Sequence, residues 1–385
     1  MKSKKLILAL LVLCFILIAT TGCTSEKGQG KSSSTIDKEA TEWGVDFLVD
    51  VEEGREVKVL QISDTQIIDA TQCRTPERLN TTHKTMWGPG NMEEWCFKYI
   101  TDAVERVQPD YIILTGDLVY GEFDDSGASM KALAQFMDSF KIPWSPVLGD
   151  KDAISKLGGE AQCEILANAE YCYFRKGNTD GYGNYSVGIR QGKELTRVFY
   201  MMHSCPVANE GQATHGFTEA QIEWLYKNME QTDKVNEGKN VKKSVCYHTP
   251  TQEFVYANMQ YQNKGMEFTI DETVKGQNGD CGSVQEKYNI YNAFSAPAYE
   301  GTPFVNLLKD ANVDSVFAGH CLGGNSSVLY EDIRWTFGLY TTNYDWPISN
   351  QIGGAQVTFN QDELAVKYVY YDKEYQEYID NLDFF

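Results

Sequence analysis

Five short apolar segments of this chain each end on a side chain that can bind a cation or carry a proton. Asp64 follows Val57–Ile62, Gly116-Asp117 follows Tyr111–Leu114, and Gly149-Asp150 leaves Pro143–Leu148; His248 follows Ser244–Tyr247, and Gly319-His320 follows Ser315–Phe317. Carboxylates and imidazoles are the residue types that ligate metal ions and move protons near neutral pH. A single Gly-Asp is a common turn, and a lone strand-end Asp is more often a cap than a ligand. The recurrence, carboxylate at three exits and imidazole at two more, is what singles these positions out.

The intervening segments are of the kind that bring such exits together. Tyr99, Ile100, Ala103, Val104 and Val107 recur at helical spacing before Pro109, and Met130, Leu133, Ala134 and Met137 do so before the third strand. Together they predict a βαβαβ run. Such runs build mostly parallel sheets, and open α/β sheets carry ligands at the carboxyl ends of their strands, where the three aspartates lie. Further on, Arg197–Met202 predicts a strand. Thr218 and Gln221 form a capping box ahead of a helix carrying Ile222, Leu225 and Met229, and Phe304–Ala311 predicts another helix. Ser326–Phe337, Ala355–Phe359 and Glu363–Tyr371 alternate in the β manner. Val255–Ala296, rich in Asn, Gln, Gly and Tyr, reads as a long insertion of the kind that often shapes substrate pockets.

The N-terminus sets the expected compartment. Lys2, Lys4 and Lys5 precede an uncharged apolar run, Leu6–Ala19, and then Thr20-Thr21-Gly22-Cys23. That run falls short of the roughly 20 residues a spanning helix needs. It reads as the core of a signal peptide, residues 1–22, with Cys23 in a lipobox-like context as the site of lipidation. Residues 23–44, rich in Ser, Lys, Gly and Thr, read as a flexible tether, and 45–385 as one domain. The expectation is an exported protein, lipid-anchored to the outer face of a bacterial cell membrane.

The formal charge is -20, and losing Lys2, Lys4 and Lys5 with the leader takes it to -23. This acidity disfavours nucleic acid and anionic lipid head groups, so the membrane is expected to be met through the lipid anchor only. Any phosphate ester must then be held by a local cation. Cys73, Cys96, Cys163, Cys172, Cys205, Cys246, Cys281 and Cys321 follow the lipid site and could pair outside the cytoplasm. Cys73 with Cys96 and Cys163 with Cys172 are nearest in sequence, although connectivity does not follow from spacing and incomplete pairing is equally allowed.

Taken in order, Asp64-Thr65-Gln66, Gly116-Asp117, Gly149-Asp150-Lys151-Asp152, His248 and Gly319-His320-Cys321-Leu322 resemble the motif series of calcineurin-like metallophosphoesterases. That series runs Asp-x-His, Gly-Asp, Gly-Asn-His-Asp/Glu, His and Gly-His-x-His. The likeness extends from about Val57 to Tyr371 and is greatest to the branch related to purple acid phosphatases. Thr115–Gly121, Ile142-Pro143-Trp144, Gln221–Leu225 and Tyr330–Arg334 are supporting matches. The resemblance implies an α/β fold of the metallophosphoesterase type, an αββα sandwich of two mixed β-sheets flanked by helices. It also implies hydrolysis of phosphate mono- or diesters through a metal-activated water.

Carried over position by position, the resemblance makes Asp117 a bridge between two divalent cations. Asp150, His248 and His320 complete one ligand set with it, Asp150 standing where the family has Asn. The other set would be Asp64, Gln66, Asp117 and Leu322, with Gln66 and Leu322 replacing imidazoles. Leu322 offers no donor atom, and the remaining oxygens suit magnesium, manganese or calcium better than zinc, so this half is expected to be weak, labile or empty. One divalent ion is therefore expected and two are allowed, among Mn, Mg, Ca, Fe and Zn.

Lys151 stands where the family has the histidine that contacts the phosphoryl group. Its ammonium can bind phosphate, but with an ordinary pKa of about 10.4 it is a poor general acid. The implied catalytic residues are thus Asp117, Asp150 and Lys151, acting on a phosphate-ester small molecule or a cell-surface polymer. Loss of the imidazoles leaves a rival expectation, a degenerate pseudophosphoesterase that binds a surface ligand without turnover. His83, His203 and His215 are expected to be surface or hydrogen-bonded histidines, Tyr120 to pack, and Cys321 to be disulfide-bonded, with Cys281 as a candidate partner, or a buried thiol.

Overall fold

The computed structural model describes residues 41–81, 92–204, 207–209, 212–214, 216–239, 241–251, 253–254, 257, 304–321, 325–342, 351–360 and 363–381. Strands β1 (Phe47–Val51) and β2 (Val57–Ile62) lead into α1 (Met92–Val107), β3 (Tyr111–Thr115), α2 (Ala128–Ser139) and β4 (Trp144–Val147), so the predicted βαβαβ run is present. A single turn, α3 (Asp150–Ala153), and α4 (Gly159–Ala167) follow. Then come β5 (Tyr185–Gln191), β6 (Glu194–Met201), the small hairpin β7 (Val207–Asn209) and β8 (Gln212–Thr214), α5 (Glu219–Val235) and β9 (Lys242–Cys246). The last part holds α6 (Phe304–Asp310), β10 (Val313–Ala318), β11 (Ser327–Tyr330), β12 (Ile333–Phe337), β13 (Gly353–Phe359), β14 (Leu364–Tyr370) and α7 (Lys373–Asp380).

These strands form two mixed sheets. One has the order β14-β13-β2-β3-β4, the other β1-β5-β6-β9-β10-β12-β11. Within the first, β2, β3 and β4 run parallel; within the second, β9 runs parallel to both β6 and β10. The two parallel blocks supply the exits from which the motif residues emerge.

Side-chain alternation explains why the sheets stack. Phe47, Val49 and Val51 of β1 and Phe199 and Met201 of β6 share one core with Val59, Tyr111 and Phe359 of the other sheet. The Phe199 ring sits 5.5 Å from Tyr111 and 6.3 Å from Phe359, centroid to centroid. The alternate residues Leu48, Val198 and Tyr200 face a second core with Ile222, Leu225 and Met229 of α5 and Leu307 and Leu308 of α6. On the other flank, Ile100, Ala103 and Val107 of α1 and Met130, Leu133 and Met137 of α2 join the first core. The layers are helix, sheet, sheet, helix, the αββα arrangement the sequence predicts. The capping box also forms: Thr218 Oγ1 accepts from Gln221 N at 3.3 Å, and Gln221 Oε1 from Thr218 N at 3.0 Å.

The nearest-neighbour cysteine pairs do not form. Cys73, Cys96 and Cys163 are free thiols. Cys73 Sγ turns to Glu122 Oε1 at 3.7 Å, whereas Cys96 Sγ turns to Thr341 Oγ1 at 3.6 Å. Cys321 is buried beside His320. The leader, Cys23, residues 23–40 of the tether, Cys205, Cys281, Leu322, His83, His215 and nearly all of the Val255–Ala296 insertion lie outside the described residues. Among the described residues no helix is long and apolar enough to cross a membrane.

Candidate metal centre

The loops leaving β2 and β3 extend the parallel ladder beyond the strands. Asp64 N donates to Gly116 O at 3.1 Å, Gln66 N to Asp117 O at 2.8 Å, and Thr65 Oγ1 to Leu118 O at 2.6 Å. Holding that path puts Asp64, Gln66 and Asp117 at φ of 49, 42 and 50°, and at the exit of β10 His320 adopts 68°. Non-glycine residues in this region cost on the order of 1–3 kcal/mol each, and they persist where surrounding structure over-determines them. The glycines of the motifs are required for space. A Cβ on Gly149 would lie 2.3 Å from Asp117 Oδ1, and one on Gly116 would lie 2.4 Å from His248 Nδ1.

Asp152 ties two of these loops together. Its buried carboxylate accepts from Gly149 N at 2.7 Å, Val119 N at 2.9 Å and Leu118 N at 3.1 Å. Burial and then the nearby Asp117 push its carboxyl up to about 8 despite those three donors.

His248 is fully buried and places Nδ1 2.8 Å from the carbonyl oxygen of Thr115. A carbonyl only accepts, so Nδ1 carries a proton and Nε2 is turned to the cluster. There Nε2 lies 3.0 Å from Asp150 Oδ1 and 3.2 Å from Asp117 Oδ1. His320 Nδ1 lies 3.0 Å from the same Asp150 oxygen and 3.3 Å from His248 Nε2. Burial alone would discharge His248, but Asp117 and Asp150 hold its imidazolium well above the ordinary value. Burial likewise opposes the charge on Asp150, yet His320, His248 and Lys151 hold its carboxyl well below the usual carboxylate range.

Ring nitrogens and carboxylate oxygens packed this closely need a proton or a cation among them. Atoms bound about 2.1 Å from one ion at tetrahedral angles sit roughly 3.4 Å apart. The observed separations of 3.0 to 3.3 Å among Asp150, His248 and His320 therefore suit a cation held by these three, and Asp117 Oδ1 borders the group at 3.2 Å from His248 Nε2.

The other half of the cluster is oxygen-lined. Asp64 Oδ2 accepts from Ser63 Oγ at 2.5 Å and His320 N at 3.1 Å, while its Oδ1 is buried with no partner. Gln66 Nε2 donates to Asp117 Oδ2 at 3.3 Å, and Gln66 Oε1 is also buried with no partner. A buried acceptor left unpaired costs roughly 1–3 kcal/mol. Ligand atoms of Asp64, Asp117 and His248 lie within 4.8 Å of one another, but His248 has one nitrogen free of the Thr115 carbonyl, so a second cation there would rest on the carboxylates of Asp64 and Asp117 and the Gln66 oxygen. Burial, opposed by His248 and aided by Asp117, pushes the Asp64 carboxyl up to about 6.

Lys151 closes one rim. Its backbone N–H donates to Asp117 Oδ1 at 2.8 Å, and its Nζ lies 3.1 Å from Asp150 Oδ2 and 5.9 Å from the centre of the Tyr120 ring. Tyr120 packs, as expected, edge-on against Phe123 with centroids 5.5 Å apart. His203 is hydrogen-bonded rather than at the surface: its buried Nδ1 accepts from Tyr182 N at 3.0 Å. Burial, with a smaller push from His248, drives its pKa down to about 3.

The structure thus gathers Asp64, Gln66, Asp117, Asp150, Lys151, His248 and His320 into one cluster; Leu322 is outside the described residues. Sequence reasoning missed Ser63, Asp152 and the Thr115 carbonyl. Asp152 does match the last position of the Gly-Asn-His-Asp/Glu motif, whereas a backbone carbonyl leaves no trace in residue types.

Residues 57–322 match the family model described as calcineurin-like phosphoesterase. An uncharacterized protein of Schizosaccharomyces pombe is 26% identical over 187 residues, which is 47% of this chain and 35% of that protein. The chain therefore spans only about a third of that relative. Among solved structures, a dimetal phosphatase from Danio rerio is 12% identical, with 81% of this chain and 95% of that one covered and a TM-score of 0.45. A purple acid phosphatase from yellow lupin (Lupinus luteus) seeds is also 12% identical, with 83% and 52% covered and a TM-score of 0.42. The family model covers well over half of the sequence and all five motif exits, and on that ground the chain belongs to the calcineurin-like phosphoesterase family, whose members bind divalent metals and hydrolyse phosphoester bonds.

Proposed function

We propose that this chain is an exported, lipid-anchored phosphoesterase that uses divalent cations to hydrolyse phosphate mono- or diesters. The observation that carries the reading is the convergence of Asp150, His248 and His320 at 3.0 to 3.3 Å, with Asp117 Oδ1 3.2 Å from the same His248 nitrogen. When bound, a divalent cation in such a set lowers the pKa of a water and offsets charge on the phosphoryl oxygens. The chain's own residues do the rest. The Thr115 carbonyl fixes the His248 tautomer, and Asp152 holds the Asp117 and Asp150 loops in register. Lys151 sets an ammonium at the rim, where it can bind a non-bridging phosphoryl oxygen.

A lysine is a poor proton donor at neutral pH. Esters whose leaving group departs as a stable anion are therefore the substrates this site handles best. Export and anchoring rest on Lys2, Lys4 and Lys5, the Leu6–Ala19 run and Cys23.

The test is hydrolysis of p-nitrophenyl phosphate and bis(p-nitrophenyl) phosphate by residues 24–385, loaded in turn with manganese, magnesium, calcium, zinc and iron, beside Asp117→Asn. Metal-dependent turnover that is lost in Asp117→Asn is expected. Equal inertness of both proteins with every ion overturns the enzyme reading and leaves ligand binding at the surface as the function. Separately, Cys23→Ala should move the full-length protein out of the membrane fraction; unchanged membrane association overturns the anchor.

A further inference from the structure

The cluster straddles a seam between sheets. Asp64, Asp117 and Asp150 leave β2, β3 and β4 of the five-stranded sheet, whereas His248 and His320 leave β9 and β10 of the seven-stranded one. The spacing of carboxylates to imidazoles is therefore set by how the two sheets register at this end. Gln61 lies in that seam. In β2 it is in step with Val57 and Val59, and it is fully buried. Its Nε2 donates to Thr115 Oγ1 and to Ala318 O, each at 3.1 Å. A carbonyl only accepts, so Ala318 O fixes the orientation of the amide, and Gln61 Oε1 is left buried with no partner. Thr115 ends β3, and its carbonyl meets His248 Nδ1; Ala318 ends β10, and His320 follows two residues on. One amide thus grips the residue that aims His248 and the strand end that delivers His320.

The surroundings leave that amide no slack. A Cβ on Gly338 would lie 2.7 Å from Gln61 Nε2, and one on Gly319 would lie 2.4 Å from Thr115 O. An amide in an apolar seam with an unpaired acceptor costs stability. The sheets are also joined without it, since Thr341 N, beyond β12, donates to Ser63 O at 3.2 Å. Adhesion therefore does not account for a glutamine at this position. We infer that Gln61 is a positioning residue: its carboxamide sets the distance between the histidines of one sheet and the aspartates of the other, and with it the cation affinity of the cluster, at a cost in stability. As a statement about affinity this rests on the reading of the cluster as a cation site. As a statement about His248 it holds for the metal-free protein as well.

The experiment compares wild type with Gln61→Met, which keeps the length of the side chain and removes both the donor and the orphaned acceptor. Chelator-stripped residues 24–385 of each are followed by urea unfolding, by solvent exchange of the His248 Nδ1 proton in NMR spectra, and by calorimetric titration with manganese. Gln61→Met should unfold at equal or higher urea and exchange that proton faster. It should bind manganese about 10- to 100-fold more weakly, as variants of ligand-orienting residues do. Thr115→Val deletes one of the two amide bonds from its other end and should lose less affinity than Gln61→Met. An amide that serves stability alone predicts the reverse, a lower urea midpoint with exchange and affinity unchanged. That result overturns the inference, as does failure of Gln61→Met to fold. A wild type that binds no manganese removes the cation reading of the cluster, and unfolding and proton exchange in the metal-free proteins then decide the inference alone.

Discussion

The carboxylate of Asp152 accepts a hydrogen bond at 2.9 Å from the backbone N–H of Val119, which lies on the loop of the previous strand. With the contacts to Leu118 N and Gly149 N, it locks the loop that carries Asp117 to the loop that carries Asp150. Asp152 need not touch a cation or a substrate to act on both.

Asp152→Asn replaces two acceptor oxygens by one and sets an NH2 group against backbone donors. Cation affinity should fall about 10- to 100-fold, as for other residues that orient ligands, and the melting temperature should drop. Calorimetric titration with manganese checks this; an unchanged affinity would contradict the positioning role.

His248 and His320 should matter more, since each presents a nitrogen to Asp150 Oδ1. His248→Ala and His320→Ala should each lose more than about 100-fold in affinity for the cation, exceeding the usual effect of an orienting residue. Metal content after gel filtration reads this directly, and a variant that keeps one ion per chain would remove that histidine from the ligand set.

Lys151→Met removes the rim ammonium, leaving Asp150 Oδ2 without its lysine partner. Charged hydrogen bonds are worth about 1.5–3 kcal/mol, so kcat/KM for p-nitrophenyl phosphate should fall roughly 10- to 100-fold. Lys151→Arg should recover part of that loss. Steady-state kinetics distinguish these outcomes, and full activity in Lys151→Met would show that the ammonium takes no part.

His203 gives the stability profile a definite sign. Its pKa is pushed down to about 3 in the fold, against about 6.5 in the unfolded chain. Below pH 6.5 the unfolded state gains a proton that the folded state refuses. The stability this residue contributes is therefore present above pH 6.5 and declines toward pH 3, by up to about 1.4 kcal/mol per pH unit. His203→Gln keeps an acceptor for Tyr182 N and should flatten the decline. Urea unfolding of the metal-free proteins from neutral pH downward measures it; parallel curves would contradict the assignment.

Much of this architecture is legible in residue order because burial and periodicity agree. Val57–Ile62 is predicted to the residue, and the helices at Tyr99–Val107 and Met130–Met137 follow from their apolar faces. β1 and β5 escape such reading. Tyr185–Gln191 mixes Gly188, Arg190 and Gln191 with apolar residues, and it becomes a strand through pairing with Phe47–Val51 and with β6. The cysteine pairing fails because distance along the chain says nothing of where Cβ atoms point. At the site, the types and order of Asp117, Asp150, His248 and His320 are visible in the motifs. The orphaned oxygens of Asp64 and Gln66 are not, since they depend on which amide and carboxylate atoms the packing leaves unpaired.

The most direct test of the account follows bound cation and phosphoester turnover in one sample, as manganese is added back to chelator-stripped residues 24–385. Turnover should be absent at the start, rise with bound ion, and stay absent in Asp117→Asn at every ion concentration. Turnover by the stripped protein, or equal rates in wild type and Asp117→Asn, would contradict a cation-dependent centre built on Asp117.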